Sequence, residues 1–311
     1  MAKTLWRDRN DALDPDADYV EIVRNLTLYE FTWDLTQALS FALFRTYAVP
    51  SIGRLLDQTQ QFAQHCQKRY DDTALLLEAP FVHGFDSPEG RTGIRRINQM
   101  HRMYDISNDD MRYVLSTFVV VPKRWIDAWG WRQLTDNEIR ATVNYYRELG
   151  SRMGIREIPE TYDGFMHLMD DYERRHFAFD AGARRVADAT LALLDEFYPR
   201  PLRKAVNATS RALMDEPLRE AFRYDDPGPR VRAATRAGLR ARARLLRLLP
   251  SKRKPTYLQD MNRIRSYPGG YDLAELGTFT PFGAAAAAGC PVPHAATDER
   301  PAASTAPTTG A

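Results

Sequence analysis

Apolar residues return every three or four positions along most of the chain, the period of a helix with one buried face. That spacing predicts helices over about 18–47 and from about Ile52 to Val82, the second broken near Gln67–Asp72. Ser87 followed by Pro88 reads as a helix start, a hydroxyl cap with proline at the first helical position. Ser107 or Asn108, followed by Asp109 and Asp110, starts the next helix, because carboxylates suit a helix N-terminus. Pro122 is read as the start of a short separate piece, "PKRWIDAWGW". Thr135-x-x-Glu138 is a capping box for a helix reaching about Met153. Further helices are expected at about 162–178, 181–197, 200–213 and 228–249. No convincing alternating strand and no Asn-Gly hairpin stands out. The expected fold is all-α, a single helical body over 18–250 after an N-terminal arm at 1–17. A docking extension follows at 251–283, rich in aromatics. From Ala284 onward the chain is Ala, Pro, Ser, Thr and Gly, and a disordered tail is expected over 284–311.

Composition narrows the function classes. A chain of 311 residues with 27% charged residues and a net charge of +2 carries no global sign of nucleic-acid binding. Its two cysteines, Cys66 and Cys290, are far apart, which excludes a disulfide framework or a zinc cluster and fits a reduced compartment. The first twenty residues have no apolar core of a secretory signal, and no run of about 18 apolar residues exists. A cytoplasmic protein is expected, in peripheral contact with the inner face of a membrane if the basic run described below serves as an anchor.

Among the candidate chemistry, His101 is the most pointed. Ile94, Ile97, His101 and Tyr104 fall on one helix face, with Arg95, Arg96 and Arg102 around it. An imidazole on an inward stripe is either a core histidine with a satisfied hydrogen bond or a ligand for something bound inside. His65, Arg69 and Thr73 are spaced four apart and share a face if their helix is continuous. Arg69 beside an apolar stripe needs an anionic partner, either a nearby carboxylate or a ligand. Glu173-x-x-His176 matches half of a carboxylate-bridged di-iron site, but the second Glu-x-x-His is missing from the chain. The alternative is an amphipathic surface helix. Gly90-x-x-Gly93 follows no strand, so it is not a phosphate loop. Residues 230–254 hold ten basic residues and no acid, with Arg232, Arg236, Arg240 and Arg244 as one stripe. That run fits contact with an anionic membrane or, equally, a packed helix with a solvated arginine face.

Three stretches together resemble a known family: "KRYDDTALLLEAPFVHG", "IRRINQMHRMYDISNDDMRYVLSTFVVVPKRWIDAWGWRQLTDNE" and "YYRELGSRMGIREIPETYDGFMHLMDDYE". They are similar to the MpaB-like oxygenases, which include the rubber oxygenases known as latex clearing proteins. The resemblance covers about residues 20–225. It implies a globin-reminiscent helical bundle holding haem b, and cleavage of isoprenoid double bonds with dioxygen. His101 matches the family's iron ligand. Arg69 and Thr73 match an arginine and threonine on the opposite side of the haem. Arg91, Arg95 and Arg96 would be propionate or structural partners. The match is incomplete. The rubber oxygenases carry a glutamate upstream of that arginine, proposed as a base, and this chain has none from Phe31 to Leu77. Asp57 and His65 are the substitutes, and Asp72 stands where those enzymes have lysine.

The expected function is a haem b-dependent oxygenase acting on dioxygen and a hydrophobic, unsaturated, isoprenoid-like substrate. The rival is a non-catalytic haem- or lipid-binding helical protein peripheral to membranes. A nucleic-acid-binding module rests on the arginine run alone and is not expected.

Overall fold

In the computed structural model, residues 3–261 and 263–278 are described, and the tail expected over 284–311, with Cys290, lies outside them. The fold is all-α, and no strand occurs among the described residues. Its starts follow the local signals. Helix α1 (Leu5–Asp11) and α2 (Tyr19–Asn25) open the chain, and α2 widens into a π-helical turn, Leu26–Glu30. Phe31 breaks that run, so α3 (Thr32–Thr46) is a separate helix rather than the continuation that the 18–47 periodicity predicts.

The region from 52 to 82 also divides, but not near Gln67–Asp72. Helix α4 (Pro50–Gln58) ends before Gln60, which adopts a left-handed φ of 58°. One helical turn, α5 (Gln61–Gln64), precedes α6 (Cys66–His83). Helix α7 (Pro88–His101) begins as expected, with the Ser87 hydroxyl accepting from the Gly90 amide at 2.9 Å. Helix α8 (Asn108–Trp129) is capped by Ser107 and runs straight through Pro122.

Pro122 is therefore a mid-helix residue, a correction with a clear cause. An interior proline costs about 3 kcal/mol, yet Leu115 to Pro122 is buried without interruption, and Trp125 and Ile126 beyond it are buried too. Burial on both sides of the proline outweighs the local penalty.

Helices α9 (Asp136–Arg152), α10 (Tyr162–His176), α11 (Ala181–Glu196) and α12 (Arg203–Leu213) follow the predicted spans, and Thr135 and Glu138 form the full capping box. A short helix that the spacing did not show, α13 (Glu216–Phe222), leads to α14 (Pro229–Leu248). The centre of the body is α8 lying on α3, with α9 and α10 packed against α8. No helix among the described residues is long and apolar enough to cross a membrane.

Candidate active site

Helices α6 and α7 pack side by side because glycine lets them approach. A Cβ on Gly93 would sit 3.0 Å from the Leu76 carbonyl oxygen and 3.2 Å from Ala79 Cβ. A Cβ on Gly90 would fall 2.0 Å from the Gly84 carbonyl oxygen. The two glycines singled out in sequence thus serve helix packing. Ile94 and Ile97 enter the core between these helices, as the stripe predicts.

His101 ends α7 at the end of that stripe. Its Nδ1 is buried and has no hydrogen-bond partner. Burial, and then the positive charge of Arg69, hold its pKa down at about 4. The imidazole is therefore neutral at pH 7 with a lone pair to give, the form in which histidine ligates metals. Buried core nitrogens are mostly satisfied, so the orphan fits the ligand alternative better than the core one.

Arg69, one turn into α6, is the cation that acts on it. Its guanidinium donates to the Thr73 hydroxyl, and that hydroxyl donates to the Arg69 carbonyl at 2.8 Å. The guanidinium also lies 5.9 Å over the Phe62 ring, which meets the Tyr47 ring edge-on at 5.5 Å. Tyr47 is buried, and burial raises its phenol pKa while Arg69 opposes the rise. Tyr47 was one apolar position among many in the sequence, and nothing local marked it. Cys66 borders the same group. Its thiol is pushed up to about 11 by burial, so it is unreactive at neutral pH.

The other candidates are placed elsewhere. His65 is exposed at the N-cap of α6, with non-helical backbone, outside the helix that carries Arg69 and Thr73. Asp57 accepts from both Nε and the terminal nitrogen of Arg185, at 3.0 and 2.5 Å. Arg91 lies 3.8 Å from Asp86, and Arg95 donates to Thr92 at 3.1 Å. Arg96 donates twice to the Leu276 carbonyl, at 3.0 and 2.7 Å. Glu173 is claimed by Arg45, whose Nε donates to it at 2.8 Å, and by the Tyr113 hydroxyl at 3.1 Å. His176 stacks on Tyr172 with centroids 4.2 Å apart. Glu173-x-x-His176 is thus a structural pair of residues.

Sequence reasoning missed how the segment after residue 256 is fastened. It is held by carboxylates of α6. Asp71 accepts the Arg265 and Ser266 amides at 3.0 and 2.9 Å. Asp72 accepts from the Tyr267 hydroxyl and from Lys68 at 2.6 Å. Glu78 accepts the Leu258 amide at 2.6 Å. Leu276 is buried with Leu75, Leu76 and Ile97, and Gly277 lies on Met100, the neighbour of His101. This strap thereby covers the outer side of the α6–α7 pair.

Two cavities are lined by none of these residues. One, of about 380 Å³, lies between the N-terminus, the start of α3 and the end of α14. The other is a narrow apolar slot beside Pro122. The chemistry of His101 and Arg69, rather than cavity size, marks the candidate site.

Comparison with known proteins identifies the family of the chain. The profile of the family described as ER-bound oxygenase mpaB/B′ and rubber oxygenase, catalytic domain, matches residues 31–248. An ER-bound oxygenase mpaB′ of Penicillium brevicompactum is 30% identical over 76% of this chain and 60% of its own length. An ER-bound oxygenase mpaB of Penicillium roqueforti (strain FM164) is 30% identical over 67% of this chain and 76% of its own. A further mpaB from Penicillium brevicompactum is 31% identical over 60% of this chain, which spans 52% of that relative.

Proposed function

Because the chain belongs to the mpaB/B′ and rubber oxygenase catalytic-domain family, we propose that it is a haem b-dependent oxygenase acting on a hydrophobic, unsaturated substrate. The observation that carries the reading is the buried, partnerless Nδ1 of a histidine kept neutral beside a fixed cation. The residues present fit a haem. His101 is the candidate iron ligand, and Arg69 with Thr73 are the polar groups closest in chemistry to it. Haem iron, when bound, supplies the activation of dioxygen that side chains alone do not.

The chain's own contribution is orientation and charge. Arg69 is fixed before any ligand arrives, by Thr73 one turn on and by the Phe62 ring. A preorganised cation stabilises negative charge without reorganising when that charge forms. Thr73 spends its proton on the Arg69 carbonyl, so its role is to hold Arg69 rather than to donate to a ligand. The aromatic pair Tyr47 and Phe62 gives that side of the site an apolar wall suited to a hydrocarbon chain. Neither Asp57 nor His65 serves as a proton acceptor in this reading, since Asp57 is engaged by Arg185 and His65 is exposed.

The test is an absorption spectrum of the purified protein, with and without dithionite and carbon monoxide. A Soret band is expected, lost in His101→Ala while far-UV circular dichroism stays helical. A His101→Ala protein that keeps the wild-type Soret band and haem content would overturn His101 as the ligand. A wild-type protein reconstituted with haem that shows no band would overturn haem dependence.

A further inference from the structure

Helix α14 has two apolar faces, and only one is used inside the protein. The inner face packs Leu239, Ala243 and Leu246 toward the body, with Thr235 buried beside them. The outer face carries Ala234, Ala237, Ala241, Leu245 and Leu248 at i, i+3, i+7, i+11 and i+14, all exposed. At its end Leu245, Leu248 and Leu249 are 60%, 82% and 47% exposed, three of the six large apolar side chains left outside the core among the described residues.

Charge frames this greasy end. Arg236, Arg240, Arg244 and Arg247 run along one flank, and Lys252, Arg253 and Lys254 follow the helix, all exposed. No carboxylate occurs between Asp226 and Asp260. The stripe read from the sequence, Arg232 to Arg244, is not wholly free. Arg232 is paired with Asp226 at 3.1 Å, and the neighbouring Arg242 with Asp34 at 2.9 Å.

The cavity of about 380 Å³ opens at the same end. Leu246, Leu249, Lys252, Lys3 and Trp131 are part of its lining. Lys3 lies 4.8 Å over the Trp131 ring and donates to the Leu246 carbonyl. The two carboxylates of the lining are already taken, Glu30 by Arg132 and Asp34 by Arg242. Burial lowers the ammonium pKa of both Lys3 and Lys252, and for Lys252 nothing offsets it. Two buried polar atoms of lining residues, Trp131 Nε1 and Thr32 Oγ1, have no partner. The cavity lining thus carries surplus positive charge beside exposed leucines.

We infer that this end of the molecule docks on an anionic phospholipid bilayer, with Leu245, Leu248 and Leu249 entering the acyl layer and the cavity mouth receiving a headgroup phosphate. Apolar side chains ringed by lysine and arginine are the chemistry of an interfacial helix. A second copy of the chain is disfavoured, because the same basic flank would face itself. Nucleic acid would use the arginines and leave the leucines idle. The inference stands whether or not the chain binds haem.

The test is cosedimentation of the full chain with phosphatidylcholine vesicles, with and without phosphatidylglycerol. Binding is expected only with the anionic lipid, and it should fade as salt rises. Leu245→Ser with Leu248→Ser should weaken it by about tenfold or more, since burying each leucine is worth at least that in partition. Lys252→Ala should reduce the preference for anionic lipid. All three positions are exposed, and circular dichroism checks that the variants stay folded. Equal binding to neutral vesicles, no binding at low salt, or binding untouched by the double leucine change would each overturn the proposal. Inorganic phosphate bound as tightly as the vesicles would make the ligand a free anion and overturn it. Duplex DNA binding at least as strong as vesicle binding, or a dimer that the leucine changes dissociate, would overturn it in favour of those partners.

Discussion

Replacing Glu78 by glutamine tests the fastening of the strap, and its sign depends on pH. Glu78 is 5% exposed, and burial pushes its carboxyl pKa up to about 7, with the Asp260 charge adding to the rise and the Leu258 amide opposing it. The ordinary value is 4.5. Below pH 4.5 the acid is neutral in both folded and unfolded chains, and no penalty arises. Between 4.5 and 7 the unfolded chain loses the proton and the folded one keeps it, so stability falls as pH rises. Above 7 the folded state carries the full cost of a buried charge, about 3 kcal/mol for a shift of this size. Glutamine keeps the acceptor for the Leu258 amide and has no charge. Glu78→Gln should therefore melt higher than wild type at pH 8, by about 6 °C on the scale for a domain of this size. At pH 5 only about 0.8 kcal/mol of that cost has arisen, and the gap should shrink to about 2 °C. Thermal melts at both pH values, followed by circular dichroism, read the difference. A gap of equal size at pH 5 and 8, or a variant less stable at pH 8, would refute the assignment of a neutral buried acid at this position.

Arg69→Ala should retain haem and lose turnover about a hundredfold, the usual effect of removing one preorganised donor; a lowered melting temperature with activity per haem unchanged would instead make Arg69 a structural cation. Thr73→Val should loosen Arg69 and cost less activity, while Thr73→Ser should restore it, read as kcat on haem-loaded protein. Glu173→Gln leaves the buried Arg45 guanidinium with only the half-exposed Asp215 as counter-charge and should cost up to about 3 kcal/mol of stability. Haem content per folded molecule should stay unchanged, and loss of a protein-bound metal other than haem iron would contradict the structural role given to Glu173.

The parts of this protein legible in its sequence are those decided within one or two helical turns. Ser87, Ser107 and Thr135 cap helices with their own side chains, and all three starts are where the local pattern puts them. Pro80 and Pro122 obey no local rule, because the surroundings that tolerate them come from distant helices. Helix α1 was not legible for the same reason. Its buried Asn10 takes a hydrogen bond from Asn25 and gives one to Glu138, 128 residues away. In the sequence Asp71 and Asp72 are adjacent carboxylates close to Arg69, available as its partners. They are 0% and 1% exposed, because backbone amides and a phenol nearly two hundred residues later fill their lone pairs. His101 was visible from periodicity, since its place on the Ile94–Ile97 stripe needs only the helix itself. The same arithmetic bears on the arginines of α7. At 100° per residue, Arg95 and Arg96 stand about 120° and 140° around the helix from His101, and Arg91 about 80°. Arg95 and Arg96 cannot share the face of His101 on any straight helix, and Arg96 in fact holds the strap through the Leu276 carbonyl. A group bound at His101 would therefore find its cation in α6, at Arg69, the one charge among the described residues that acts on this imidazole.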